Sequence, residues 1–79
     1  MEQQNLQIRD LGLAAAIVSL GFEVLETRRD MNSRIYFVFV DSPELQEAIK
    51  EYWANTLNVK ARYYFDAIKM LKTRIYSER

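Results

Sequence analysis

The sequence predicts an α+β domain in which three helices cover one face of a small antiparallel β-hairpin or three-stranded sheet, in the order (β)αββαα. Three observations carry this. Ile35-Tyr36-Phe37-Val38-Phe39-Val40 is an unbroken run of β-branched and aromatic residues, which suits a pleated, half-buried surface. Asp30-Met31-Asn32-Ser33 supplies turn residues just before it, whose side chains hydrogen-bond locally and reverse the chain. Leu45, Ala48, Ile49, Tyr52 and Trp53 follow the i, i+3, i+4, i+7, i+8 spacing of one helical face.

Taken in order, Leu6-Gln7-Ile8 alternates and is the candidate third strand, which a bare hairpin needs for stability. Asp10 is placed to cap a helix over 11–20, and Gly21 to end it in the left-handed conformation. That helix has two apolar stripes, Leu11/Ala14/Ala15/Val18 and Leu13/Ala16/Ile17/Leu20, the pattern of an element covered on both sides. Residues 22–28 and 34–40 are expected to pair as an antiparallel hairpin. Ser42 caps the next helix, and Pro43 occupies its first position, where the missing amide has no partner to lose. Asn55-Thr56 breaks the pattern, and Leu57-Asn58-Val59 is a short extended joint. A last helix over 59–76 has Ala61, Tyr64, Phe65, Ile68, Leu71 and Ile75 as its core face. Tyr63, Ala67, Met70 and Arg74 make a weaker second stripe. Trp53, the only tryptophan, is expected to be buried against that helix near Ala61 and Phe65.

With 79 residues the chain has room for one domain, read here as residues 1–79 with about 8–76 structured. It contains neither cysteine nor histidine. Nucleophilic catalysis by the Ser-His or Cys-His route therefore lacks its base, and thiolate or imidazole metal sites lack their ligands. Glu44, Glu47 and Glu51 lie on the polar side of a helix, with no Gly-rich phosphate loop elsewhere. The expectation is a protein that is no enzyme, with no catalytic, cofactor-binding or metal residues and no cofactor. The absence of cysteine fits a reducing, cytoplasmic setting. The polar stretch Met1–Arg9 carries no apolar targeting segment, and no run is long enough to span a bilayer, so no membrane association is expected.

Net charge is zero but unevenly distributed. Lys50 stands against Asp41, Glu44, Glu47 and Glu51 in residues 41–55, giving −3. Lys60, Arg62, Lys69, Lys72, Arg74 and Arg79 stand against Asp66 and Glu78 in residues 56–79, giving +4. Such a split fits either two segments facing each other or an acidic partner for the basic one.

Arg9-Asp10-Leu11-Gly12-Leu13-Ala14-Ala15, Gly21-Phe22, Asp41-Ser42-Pro43-Glu44-Leu45, Tyr52-Trp53, Arg62-Tyr63-Tyr64-Phe65-Asp66-Ala67 and Leu71-Lys72-Thr73-Arg74-Ile75-Tyr76 together resemble a family of very small bacterial and phage proteins known only as a domain of unknown function. Order and spacing over about residues 8–76 carry the resemblance, and no single motif is specific. Ile8 departs from the Thr or Ser frequent there in the family. The resemblance implies one compact domain in a bacterial or phage setting and brings no activity, cofactor or catalytic residue.

Two binding readings remain. Tyr36, Val38 and Val40 point away from the strand face of Ile35, Phe37 and Phe39, and helices can cover only one face of so small a sheet. With Leu13 and Ile17 of the two-sided helix, these residues predict a surface for a second copy of the chain or another protein. The alternative partner is nucleic acid. Arg28, Arg29 and Arg34 crowd the hairpin, and Lys60, Arg62 and Lys69 interleave with Tyr63, Tyr64 and Tyr76 on the last helix. Phosphates and unstacked bases take such a mixture of cations and rings.

Overall fold

A computed structural model describes residues 4–77. The chain runs β1 (Asn5–Ile8), α1 (Leu11–Ser19), β2 (Glu26–Arg29), β3 (Ile35–Val40), α2 (Pro43–Trp53) and α3 (Ala61–Ser77). The expected α+β class and element order are both present, including the opening strand. The sheet order is β1-β3-β2, antiparallel throughout. β3 is central because it alone is long and continuously apolar. The molecule is a slab of 35 × 34 × 19 Å, about the thickness of one sheet and one layer of helices.

Local chemistry sets the helix boundaries. The Asp10 carboxylate accepts from the Leu13 amide at 2.8 Å, and the Ser42 hydroxyl from the Leu45 amide at 3.0 Å. Both α1 and α2 end in the same way. Gly21 (φ 105°) donates to the Val18 carbonyl and Phe22 to that of Ile17, while Asn55 (φ 62°) donates to Tyr52 and Thr56 to Glu51. These paired bonds close a helix with one left-handed residue, a place for Gly or Asn. The hairpin turns through Asp30, whose carboxylate accepts from the amides of Asn32 and Arg34. Ser33 (φ 63°) completes the reversal.

β2 is shorter than expected. Residues 22–25 form no strand, although the Leu25 amide bonds to the Val38 carbonyl, and Val24 instead enters the core. α3 begins at Ala61, two residues later than expected.

The core gathers Ile8 and Phe37 and Phe39 from the sheet, Leu13, Ala14, Ala15 and Ile17 from α1, Leu45 and Ala48 from α2, and Ala67 and Leu71 from α3. α1 is the central helix and packs on α3, α2 and β1. Its two apolar stripes are therefore used inside the molecule. Leu13 and Ile17, expected to form part of an exposed surface, are buried. Val38 is also buried, at 5% exposure, although it lies on the sheet face away from the helices. Its cross-strand neighbours Gln7 and Glu26 flank it, and long polar side chains cover apolar neighbours with their stems. Arg9 completes the cover: its guanidinium lies over the Tyr36 ring at 5.0 Å and reaches the Asp30 carboxylate at 2.7 Å. Tyr36, beneath Arg9, and Val40, opposite Asn5, are half-buried. Of the expected surface, Leu13, Ile17 and Val38 are therefore buried within the chain, while Tyr36 and Val40 remain half-buried.

Two further expectations about burial are also corrected. Trp53 is 63% exposed and Phe65 60%, and Ala61 is exposed as well. The core seam of α3 runs instead through Ala67 and Leu71. α1 carries small side chains at 14, 15 and 16 and packs on α3, and small residues permit close approach of helix backbones.

Candidate functional site

An aromatic hollow lies where α2 ends and α3 begins. Asn55, in its left-handed conformation, turns the chain so that Leu57 and Val59 run back past the end of α2. Together with Tyr52, Trp53, Tyr64 and Ala16 of α1, these residues line a solvent-open hollow of about 430 Å³. Tyr52 and Trp53 meet edge to face, with ring centroids 5.0 Å apart and planes at 85°, so they form two walls of a corner. Tyr64 supplies the third ring. Trp53 also borders a second hollow, of about 470 Å³, beside Ile8, Leu13, Gln46 and Ile49. It therefore stands as a partition between two hollows with most of its ring in solvent.

The tyrosines are held from below. A methyl group added at Gly12 would lie 2.8 Å from the Tyr52 hydroxyl and 3.3 Å from both the Tyr64 hydroxyl and an Asp10 carboxylate oxygen. Gly12 thus admits both hydroxyls to the first turn of α1. Burial, then the charge of Asp10, then Tyr64, push the Tyr52 phenol above its ordinary value. Tyr52 stays neutral through the physiological range.

The cationic residues fall into two sets on separate elements. Arg28, Arg29 and Arg34 belong to the hairpin, where Arg28 pairs with Glu26 at 3.0 Å and Arg29 donates to the Ser33 carbonyl at 3.0 Å. Lys60, Arg62 and Lys69 belong to α3 and its approach. Lys60 lies over the Tyr63 ring at 5.3 Å and Lys69 over the Phe65 ring at 5.2 Å. Arg62, Phe65, Lys69, Lys72 and Tyr76 recur at spacings of three and four and are all exposed, so they share the outward face of α3.

The aromatic corner is not legible in the sequence, because the apolar spacing places both Trp53 and Tyr64 on core faces. One available signal was Asn55: an asparagine after an apolar helical face marks a left-handed stop, and hence a sharp exit. Among the described residues no group of three or more acidic side chains is placed to hold a metal ion. No helix of the described residues is long and apolar enough to cross a membrane.

The family model described as "Domain of unknown function (DUF5659)" matches residues 3–77. No curated protein and no solved structure matches the chain.

Proposed function

The chain belongs to that DUF5659 family, and we propose that it acts there as a non-catalytic interaction module of the cytoplasm, binding another protein or a second copy of itself through its helical layer. The observation that carries this reading is Trp53. A tryptophan that is 63% exposed yet fixed edge to face against Tyr52 presents a large rigid apolar surface at little entropic cost. Residues of this kind, flanked by hollows that receive a partner's side chains, dominate binding energies. The sheet face, under Arg9, Gln7 and Glu26, offers no equivalent.

A photo-crosslinking residue at position 53, with position 36 on the sheet as reference, tests this in cells that naturally make the protein. The reading expects a discrete adduct from position 53, absent from position 36. Adducts only at position 36, or none at 53, overturn it. Light scattering over a concentration series separates self-association, which raises the mass above 9.4 kDa, from capture of a different protein.

A second reading is favoured by the outward face of α3, where Arg62, Lys69 and Lys72 alternate with Phe65 and Tyr76. Single-stranded nucleic acid binds such faces by phosphate contact and stacking. Binding to single-stranded DNA at about 50 mM salt, lost steeply as salt rises, supports this reading because phosphate contacts release counterions. No binding at low salt removes it.

A further inference from the structure

We propose that the corner formed by Tyr52, Trp53 and Tyr64 is a binding site for a quaternary ammonium group. The inference deepens the interaction reading by naming the group that Trp53 engages.

Three aromatic rings line one hollow of about 430 Å³. Aromatic faces carry negative potential and attract a cation placed over them. Tyr52 and Trp53, at 85° to each other, present two such faces in different directions, and Tyr64 adds a third. A compact, roughly spherical cation seated in the shared hollow would meet aromatic surface on more than one side.

The chain's own cations occupy rings elsewhere. Arg9 covers Tyr36, Lys60 covers Tyr63 and Lys69 covers Phe65, each at 5.0–5.3 Å. Among the described residues no lysine or arginine lies over Tyr52, Trp53 or Tyr64. The same chemistry that pairs three surface rings internally is left at this corner for an external partner.

The lining selects the kind of cation. Its polar side-chain groups are the Asn55 amide, the tyrosine hydroxyls and the Trp53 indole N–H, none of them charged, and its remaining walls are Ala16, Leu57 and Val59. A primary ammonium has three donors and is strongly hydrated, so it loses too many hydrogen bonds on entering. A trimethylammonium group has no donor and an apolar shell, and loses little. The Asp10 carboxylate lies outside this lining, in the neighbouring hollow, but near the Gly12 position that both tyrosine hydroxyls approach, so its charge disfavours an anion at the corner. The group is carried by trimethylated lysine and by choline, and the experiment separates these sources.

The test follows Trp53 emission of the full chain, and the N-methyl proton resonances of the ligand, during titration with choline, a short trimethyl-lysine peptide, the same peptide unmethylated, and the neutral isostere 3,3-dimethylbutanol. Sodium chloride at matched ionic strength is the blank. A saturable emission change is expected, with N-methyl resonances moved upfield by the rings. Affinity for choline or the trimethylated peptide should exceed that for the isostere and the unmethylated peptide by about tenfold. The tighter of the two assigns the source. Trp53→Ala, which removes an exposed ring, should abolish the upfield shift while circular dichroism is unchanged. Equal response to the isostere shows an apolar hollow only and overturns the proposal. Absence of a saturable response below about 100 mM, far weaker than the millimolar range of useful sites, also overturns it. A crosslinked protein at position 53 together with no ammonium binding leaves the interaction reading intact and this one refuted.

Discussion

Trp53 and Tyr52, neighbours in the chain, meet edge to face with centroids 5.0 Å apart, while 63% of Trp53 is exposed. The pair gains the edge-to-face attraction of about 0.5–1.5 kcal/mol but little burial. Trp53→Ala is therefore expected to cost about 1–2 kcal/mol, well below the roughly 3–5 kcal/mol of a buried large-to-small change. Denaturant unfolding followed by circular dichroism measures this. In the native protein, Trp53 emission should be water-like and readily quenched by acrylamide. A blue, protected emission contradicts the arrangement.

Leu71 and Phe65 both fit one apolar stripe in the sequence, yet Leu71 is 0% exposed and Phe65 60%. Leu71→Ala should cost about 2–5 kcal/mol by opening a cavity. Phe65→Ala should change stability by less than about 1 kcal/mol, since it loses mainly an exposed contact with Lys69. Parallel melts of the two variants decide the orientation of α3, because reversed magnitudes require its opposite face to point inward.

The same two residues mark where legibility ended. Capping by Asp10 and Ser42, the stop at Gly21, the strand of residues 35–40 and the element order were readable because each depends on a few neighbouring residues. The rotation of α3 depends on α1, far off in sequence. Phe65 and Ala67 are two positions apart, about 200° around the helix, so only one can meet α1. Hydrophobicity favours Phe65. The small side chains of α1 favour Ala67 by permitting close approach, and that gain exceeds the cost of leaving a phenyl ring in solvent. The aromatic corner was hidden for a related reason: α2, the 55–59 joint, α3 and Ala16 build it together, and no single segment announces it.

Thr27 pairs with Phe37 across the β2–β3 ladder, and among the described residues its buried hydroxyl has no hydrogen-bond partner. Such a group carries a desolvation cost without return. Valine has nearly the same shape and suits a strand. Thr27→Val should raise stability by about 1 kcal/mol, an increase in Tm of about 4–8 °C for a domain of this size. A fall in Tm would mean that the hydroxyl has a water partner in solution.

Asp30 joins the hairpin to the opening of the chain. The Arg34 amide lowers its carboxyl below the ordinary 3.8 most strongly, with the Asn32 amide and Arg9 adding to this and burial opposing it. A carboxyl depressed in the folded state stabilises that state above its unfolded value and loses the contribution as pH falls through the folded one. The expected loss therefore lies below about pH 4. Asp30→Asn should remove part of the acid sensitivity seen in melts between pH 7 and pH 3. Identical acid sensitivity in variant and parent would show that other carboxylates account for it.

Gly12→Ala sets two effects against each other. Alanine in a helix gains up to about 1 kcal/mol over glycine. The added methyl, however, lies 2.8 Å from the Tyr52 hydroxyl, closer than atoms tolerate, so the phenol must move. That hydroxyl is the far end of a half-buried side chain, and outward rotation relieves the clash without disturbing α1. Stability should therefore change little, with Tm within about 5 °C of the parent. The aromatic corner should change markedly. As Tyr52 leaves Asp10 and Gly12, its ionisation should return toward the ordinary tyrosine range, read by absorbance on raising pH. Its edge contact with Trp53 should loosen, altering the near-ultraviolet circular dichroism. A large drop in Tm with unchanged near-ultraviolet bands would show instead that α1 yields and the tyrosine holds its place.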